Sequence, residues 1–332
     1  VQKKQILYLL ILLLTAGIDQ AKAQTKQKLA SFTPGALWYD TDGQLINAHA
    51  GGIILINKVY YWFGEKRGER RSEGVSVYSS KDLYNWKAEG LALATSDDPA
   101  SDITDGCLME RPKVIYNKKT KKYVMWFHLE LKDKGYAAAR AGIAISDKIT
   151  GPYKFVSSFR PNGNMSRDMN LFVDEDGSAY HIYSSDENMD LRIVKLSDDY
   201  LTATTQDTLL FRRQREAPAL FKNNGKYYLI TSGCTGWAPN TASLHVSNTI
   251  FGPYILKGDP MTGKNAKKTF GAQSTFVLAL VGKKNAFVFI ADQWNPKDLK
   301  DSRYVFLPIS LENESPAIGW LDDWKLDWFS KN

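Results

Sequence analysis

The chain has 332 residues, 43% hydrophobic and 24% charged, and its 43 Lys and Arg against 36 Asp and Glu give a formal charge of +7. That balance belongs to an ordinary globular protein and excludes a disordered chain. The positive excess is scattered, and no basic stripe with interleaved aromatics marks a nucleic-acid surface.

In chain order the first feature is a secretory signal pattern. Lys3 and Lys4 precede an apolar run at 6–14, and Ala21-Lys22-Ala23 places small residues at the two positions a signal peptidase reads. A signal peptide over 1–23 with cleavage before Gln24 is expected, which makes the protein secreted or periplasmic. Its removal takes away three lysines and one aspartate and lowers the charge from +7 to +5. The apolar run is too short for a membrane span, which needs about 20 residues, and no cysteine follows it to accept a lipid. Residues 24–332 contain no Pro-, Gly- or Ser-rich linker and read as one domain.

Beyond residue 50 one pattern recurs five times, a Gly or Lys turn followed by an aromatic-rich strand, at 57–65, 120–130, 176–185, 224–233 and 283–294. Each copy follows another apolar strand across a tight turn, at 51–56, 112–116, 170–173, 217–221 and 274–280, which makes a hairpin. A third strand follows at 74–79, 141–146, 191–196, 243–247 and 303–308. An aromatic-rich turn such as Gly151-Pro152-Tyr153 or Gly252-Pro253-Tyr254 then leads to an outermost fourth strand, as at 154–158 and 255–258. Four antiparallel strands repeated five times predict an all-β fold, a five-bladed β-propeller. No apolar period of 3.6 continues past the first 23 residues, so long helices are not expected. The competing arrangement, a two-sheet sandwich, needs no such self-similarity.

The innermost strand of each propeller blade lines the central channel. The polar residues that begin those strands are His49, Glu110, Asp168, Glu216 and Gln273. Any one of them could simply be solvated, but the flanks Glu110-Arg111-Pro112 and Glu216-Ala217-Pro218 are alike, which favours convergence on one space. Clustered carboxylates push one another's pKa values apart, and this equips a site for general acid catalysis at a glycosidic bond. Trp126, Trp237 and Trp294 fall at or just after the hairpin strands, either as flat faces for a sugar ring or as packing residues. Cys107 and Cys234 either pair or remain free thiols. The four histidines, at 49, 128, 181 and 245, lack zinc-site spacing, no carboxylate cluster is left over for Ca²⁺, and no cofactor or metal is expected.

At these residues the sequence resembles glycoside hydrolase family 43, and more narrowly its exo-β-1,3-galactanase branch. The resemblance rests on Pro34-Gly35-Ala36-Leu37-Trp38-Tyr39-Asp40 leading to Ala48-His49-Ala50-Gly51-Gly52, and on Tyr60-Tyr61-Trp62-Phe63-Gly64-Glu65. It continues through Glu110-Arg111-Pro112-Lys113-Val114, Arg167-Asp168-Met169-Asn170-Leu171-Phe172, Arg215-Glu216-Ala217-Pro218-Ala219-Leu220 and Gln273-Ser274-Thr275. It implies Glu216 as the catalytic acid and Asp168 as the residue that orients it and tunes its pKa. The family's usual first-blade Asp base is missing here, where His49-Ala50-Gly51-Gly52 stands instead.

In the galactanase branch the resemblance hands the attacking water to Gln273 and substrate grip to Glu110, with Glu65 as a sugar-hydroxyl ligand and His49 beside it. A neutral amide is a very poor base, so either an imidic-acid tautomer of Gln273 or Glu110 must take the proton. The implied activity is inverting, exo-acting release of galactose from β-1,3-galactan such as the arabinogalactan backbone, by a monomer whose partner is that oligosaccharide. Another exo-glycosidase of the family, acting on arabinofuranosides, xylosides or other galactosides, is the nearest alternative. An inactive sugar-binding propeller is a third, opposed by the presence of both Glu216 and Asp168.

Overall fold

A computed structural model describes residues 28–68, 72–312 and 315–331. The expected signal peptide, residues 1–23, lies outside the described residues. The rest forms five small sheets arranged as a five-bladed β-propeller.

Blade 1 runs from the inner strand outward as His49–Ile56, Val59–Arg67, Ser72–Ser80 and Lys87–Ala94. Blade 2 follows as Leu108–Asn117, Lys122–Glu130, Arg140–Ser146 and Lys154–Phe159. Blade 3 is Met169–Val173, Ala179–Ser185, Asp190–Leu196 and Ala203–Arg212; blade 4 is Arg215–Asn223, Lys226–Gly233, Ser243–Ser247 and Ile255–Gly258. Blade 5 consists of Gln273–Ala279, Phe287–Gln293, Arg303–Glu312 and Ser315–Gly319, with a short strand, Met261–Thr262, added in parallel outside it. That fifth strand was not foreseen, because two residues carry no periodic signal. Among the described residues the helical segments are four short 3-10 turns.

Each blade packs on two neighbours, so its inner strands are buried on both faces and read as unbroken apolar runs. In Lys122–Glu130 the pleat sends Met125, Phe127 and Leu129 into a cluster shared with blade 1, and Val124 and Trp126 into one shared with blade 3. Five such wedges, one per blade interface, make up the core. The outer strands have a solvated side, and Ile255–Gly258 is exposed along its whole length.

Among the described residues every blade is built from consecutive strands, and no strand is exchanged to lock the ring. The wedge between blades 5 and 1 closes it instead, and there both ends of the described chain are used. Phe32 and Trp324 exchange backbone hydrogen bonds of 2.8 and 3.0 Å, and their rings stack at 4.5 Å. Trp38, Trp62, Trp86, Phe306 and Trp328 gather around them. Burying a large apolar side chain is worth about 1.5–3 kcal/mol, so this aromatic wedge substitutes for the missing strand exchange.

Candidate active site

The inner strands do not start smoothly. Their pairing slips between His49 and Gly52, Glu110 and Lys113, and Glu216 and Ala219. Each slip is a β-bulge that re-aims the side chain before it. The residue after each polar one, Ala50, Arg111 and Ala217, has φ of 49°, 52° and 54°. Left-handed backbone costs a non-glycine residue roughly 1–3 kcal/mol, and neighbouring side chains hold it in place. Asp292 Oδ2 accepts from Ala50 N (3.2 Å) and Asp168 Oδ2 from Ala217 N (3.0 Å). The fully buried Lys113 donates to Ala50 O (2.9 Å) and Arg111 O (3.3 Å). At the two glycines of the first-blade stretch there is no room for a side chain. A Cβ on Gly51 would overlap the Phe63 carbonyl, and one on Gly52 would lie 2.6 Å from Lys113 Cδ.

Above the bulges is a pocket of about 510 Å³ to which all five blades contribute, among them Arg67, Glu110, Asp168, Glu216 and Gln273. Glu216 Oε1 accepts from Gln273 Nε2 (2.8 Å) and Oε2 from Asn188 Nδ2 (3.2 Å). Burial, and then the charge of Asp168, push its pKa up to about 7, so near neutral pH it holds a proton to give away. Asp168 is held by Arg111 Nε at 2.8 Å as well as by the Ala217 amide. A carboxylate that grips the backbone next to Glu216 and repels its ionised form can orient and tune an acid.

Gln273 is fully engaged. Its Oε1 accepts from Arg111 Nη2 (2.6 Å) and Trp294 Nε1 (2.9 Å), while Nε2 donates to Glu216 and to Ser232 Oγ (3.2 Å). The amide therefore fastens the acid, and it must exchange one of these partners to hold a water.

The opposite wall has the reverse electrostatics. Glu110 Oε1 accepts from Arg67 Nη2 (3.0 Å) and Tyr136 OH (3.0 Å), and Oε2 lies 3.1 Å from His128 Nδ1. Burial opposes its charge, but His128 and Arg67 outweigh it and hold the carboxyl well below the usual carboxylate range. Glu110, His128 and Asp168 lie close enough to share a cation. They do not fit one, since the Arg67 guanidinium on Glu110 (3.0 Å) and the Arg111 guanidinium on Asp168 (2.8 Å) already supply the positive charge and would repel a cation.

The model of glycosyl hydrolases family 43 matches residues 50–299. The chain belongs to that family. A family 43 β-1,3-galactosidase solved with galactodeoxynojirimycin is 46% identical, with a TM-score of 0.87 over 89% of this chain and 100% of its own. An exo-β-1,3-galactanase from Phanerochaete chrysosporium, solved with β-1,3-galactotriose, is 35% identical, with a TM-score of 0.84 over 89% of this chain and 68% of its own. A curated Escherichia coli (strain K12) protein, provisionally named a β-xylosidase, is 28% identical over 203 residues. The chain spans 36% of the length of that curated relative and 56% of this chain is matched.

Within this family 43 propeller, Glu110, Asp168, Glu216, Gln273, Trp237 and Trp294 line the pocket. Three other expected substrate contacts do not. Trp126 is 0% exposed, donates from Nε1 to Tyr200 O (2.8 Å) and belongs to the wedge between blades 2 and 3. Its place halfway along the strand, rather than at the channel end, makes it a packing residue. His49 and Glu65 are also 0% exposed. The His49 ring stacks on Tyr304 at 5.2 Å, and Glu65 Oε2 lies 2.7 Å from Arg67 Nη2, so Arg67 reaches the pocket in its stead. Burial raises the Glu65 pKa to about 8 despite Arg67. Both cysteines are free, and Cys234 lines the pocket beside Glu216.

Sequence reading assigned no role to Arg67, Arg111, His128, Tyr136 or Asn188. Arg111 was visible inside the Glu-Arg-Pro motif. His128 and Glu130 stand out as polar residues at alternate positions of an otherwise apolar strand. Tyr136 and Asn188 lie in loops whose reach nothing local encodes.

Proposed function

We propose that this family 43 hydrolase removes single galactose residues from the non-reducing ends of β-1,3-galactan with inversion at the anomeric carbon. The observation that carries the reading is Glu216, a carboxyl raised to about 7 at the floor of a pocket ringed by all five blades. Its Asp168 and Gln273 partners stand in a chain 46% identical to a β-1,3-galactosidase. A pocket over the propeller axis takes a chain end, which suits exo attack.

Glu216 protonates the leaving oxygen as the bond to the anomeric carbon breaks through an oxocarbenium-like transition state. Inverting enzymes separate acid and base by about 6.5–9.5 Å to admit the sugar and a water. Substrate must therefore part Gln273 from Glu216, freeing the amide to orient that water. Glu110, an anion on the other wall, receives the proton. Trp237, 44% exposed at the pocket mouth and packed edge-on against Trp294 at 5.5 Å, offers the next sugar a flat face.

Incubation with β-1,3-galactan should give galactose alone at early times, and proton NMR of the first product should show the α anomer. A β-anomeric product overturns inversion, early oligosaccharides overturn exo attack, and faster turnover of xylosides or arabinofuranosides overturns the substrate. The signal pattern at 1–23 supports export to the periplasm or medium, which N-terminal sequencing of the exported protein tests. The reading takes the enzyme as a monomer, to be checked by light scattering.

A further inference from the structure

Glu110 stands at the end of a buried row of alternating charge. Behind it lies His128, with Nδ1 3.1 Å from Glu110 Oε2 and Nε2 2.8 Å from Glu130 Oε1. Glu130 Oε2 in turn accepts from Ala139 N at 3.0 Å. His128 and Glu130 are each 1% exposed. They are alternate residues of the strand Lys122–Glu130, so the pleat points both to one face.

A neutral imidazole has one N–H and one lone pair. Placed between two carboxylates, it would turn that lone pair toward an oxygen anion. Only the imidazolium satisfies both sides, unless a carboxyl takes the proton, and the Ala139 amide donating to Glu130 favours its anion. The groups facing this row are Arg67 and Glu65 of blade 1 and Tyr136 and Arg111 of blade 2. Asp168 of blade 3 lies within 4.8 Å of both Glu110 and His128, and the charge of Glu110 also reaches Glu216 of blade 4.

We propose that His128, braced by Glu130, is a positioning residue that keeps Glu110 ionised and aimed into the pocket. The inference rests on the reading of Glu110 as the group that receives the water's proton. Its electrostatics agree: burial alone would strip the ring of its proton, yet the two carboxylates hold its pKa at about 9. Because His128 is already charged, it stores no further proton. It acts by fixing the charge and direction of its neighbour.

Two measurements test this. The first needs no substrate: nitrogen-15 NMR of the histidine rings at pH 7.5, with His128 assigned by its loss in His128→Gln. Both ring nitrogens should carry protons, and a neutral His128 overturns the proposal whatever the substrate proves to be. The second is the pH profile of kcat/KM for His128→Gln and Glu130→Gln, on β-1,3-galactobiose or the best glycoside of a chromogenic panel. Loss of the imidazolium should raise the acid limb, set by Glu110, by about 1–3 pH units, with the alkaline limb of Glu216 unmoved. Glu130→Gln should move it the same way by less. A uniform loss of rate with neither limb displaced in a folded variant marks a merely structural role and overturns the proposal. If His128→Gln does not fold, Glu130→Gln and the NMR reading decide.

Discussion

The two walls of the pocket start from the same piece of chain and end as chemical opposites. Glu110-Arg111-Pro112 and Glu216-Ala217-Pro218 both open an inner strand, and both bulge with a left-handed second residue. Glu216 meets the Gln273 amide, the Asn188 amide and the charge of Asp168, and its pKa rises to about 7. Glu110 meets Arg67, Tyr136 and His128, and its pKa falls. The bulge is thus a presentation device with no chemistry of its own. Acid or anion is decided by the side chains that neighbouring strands and loops, of the same blade and of adjoining ones, bring up.

The largest expected way to break this contrast is Glu216→Gln. It should cut kcat by about 10²–10⁴-fold, the usual range for a lost general acid. Calorimetry with β-1,3-galactobiose should still show binding, and retention of turnover would remove Glu216 from the reaction. Asp168→Asn comes next. The acid works protonated, so activity is lost as pH rises through a Glu216 pKa of about 7. Removing the neighbouring negative charge lowers that pKa and should bring the alkaline limb of kcat down by about one unit. An unmoved limb would confine Asp168 to orienting the acid.

Smaller effects separate pocket from packing tryptophans. Trp237→Ala should raise KM for galactotriose about tenfold with little change in kcat, as expected for uniform binding lost at a stacking face. Trp126→Phe should leave kcat and KM unchanged while calorimetric unfolding shows a loss of about 1–3 kcal/mol, because Tyr200 O loses a buried donor. A raised KM for Trp126→Phe would contradict its place in the wedge.

The strands nearest the axis were legible because double-sided burial writes them as apolar runs, such as Val124-Met125-Trp126-Phe127 in the second strand of blade 2. The outer strands were faint where one side meets solvent, as in Ile255–Gly258. Of the site, the residues that begin inner strands could be found by position, and Glu110, Asp168, Glu216 and Gln273 do meet. His49 begins an inner strand too, yet its ring is buried against Tyr304 and behind Trp294 and does not line the pocket. Partners from other strands and loops, Arg67 of blade 1, His128 on the neighbouring strand of blade 2 and Asn188 of blade 3, do not begin inner strands and carry no such mark.

By itself the sequence determined the five-fold repeat, the strand order within each blade and the two alike Glu-x-Pro segments at the starts of inner strands, since these depend on residues near one another in the chain. Only the tertiary structure decided which glutamate holds a proton, that Arg67 takes the place of Glu65 in the pocket, and that His128 stands charged between two carboxylates. Those outcomes depend on distance and burial among strands and loops of the same and of adjoining blades. A charge buried beside its partner is governed by the few ångströms around it, and those are set by segments far apart in the chain, such as Arg111 and Gln273, 162 residues apart.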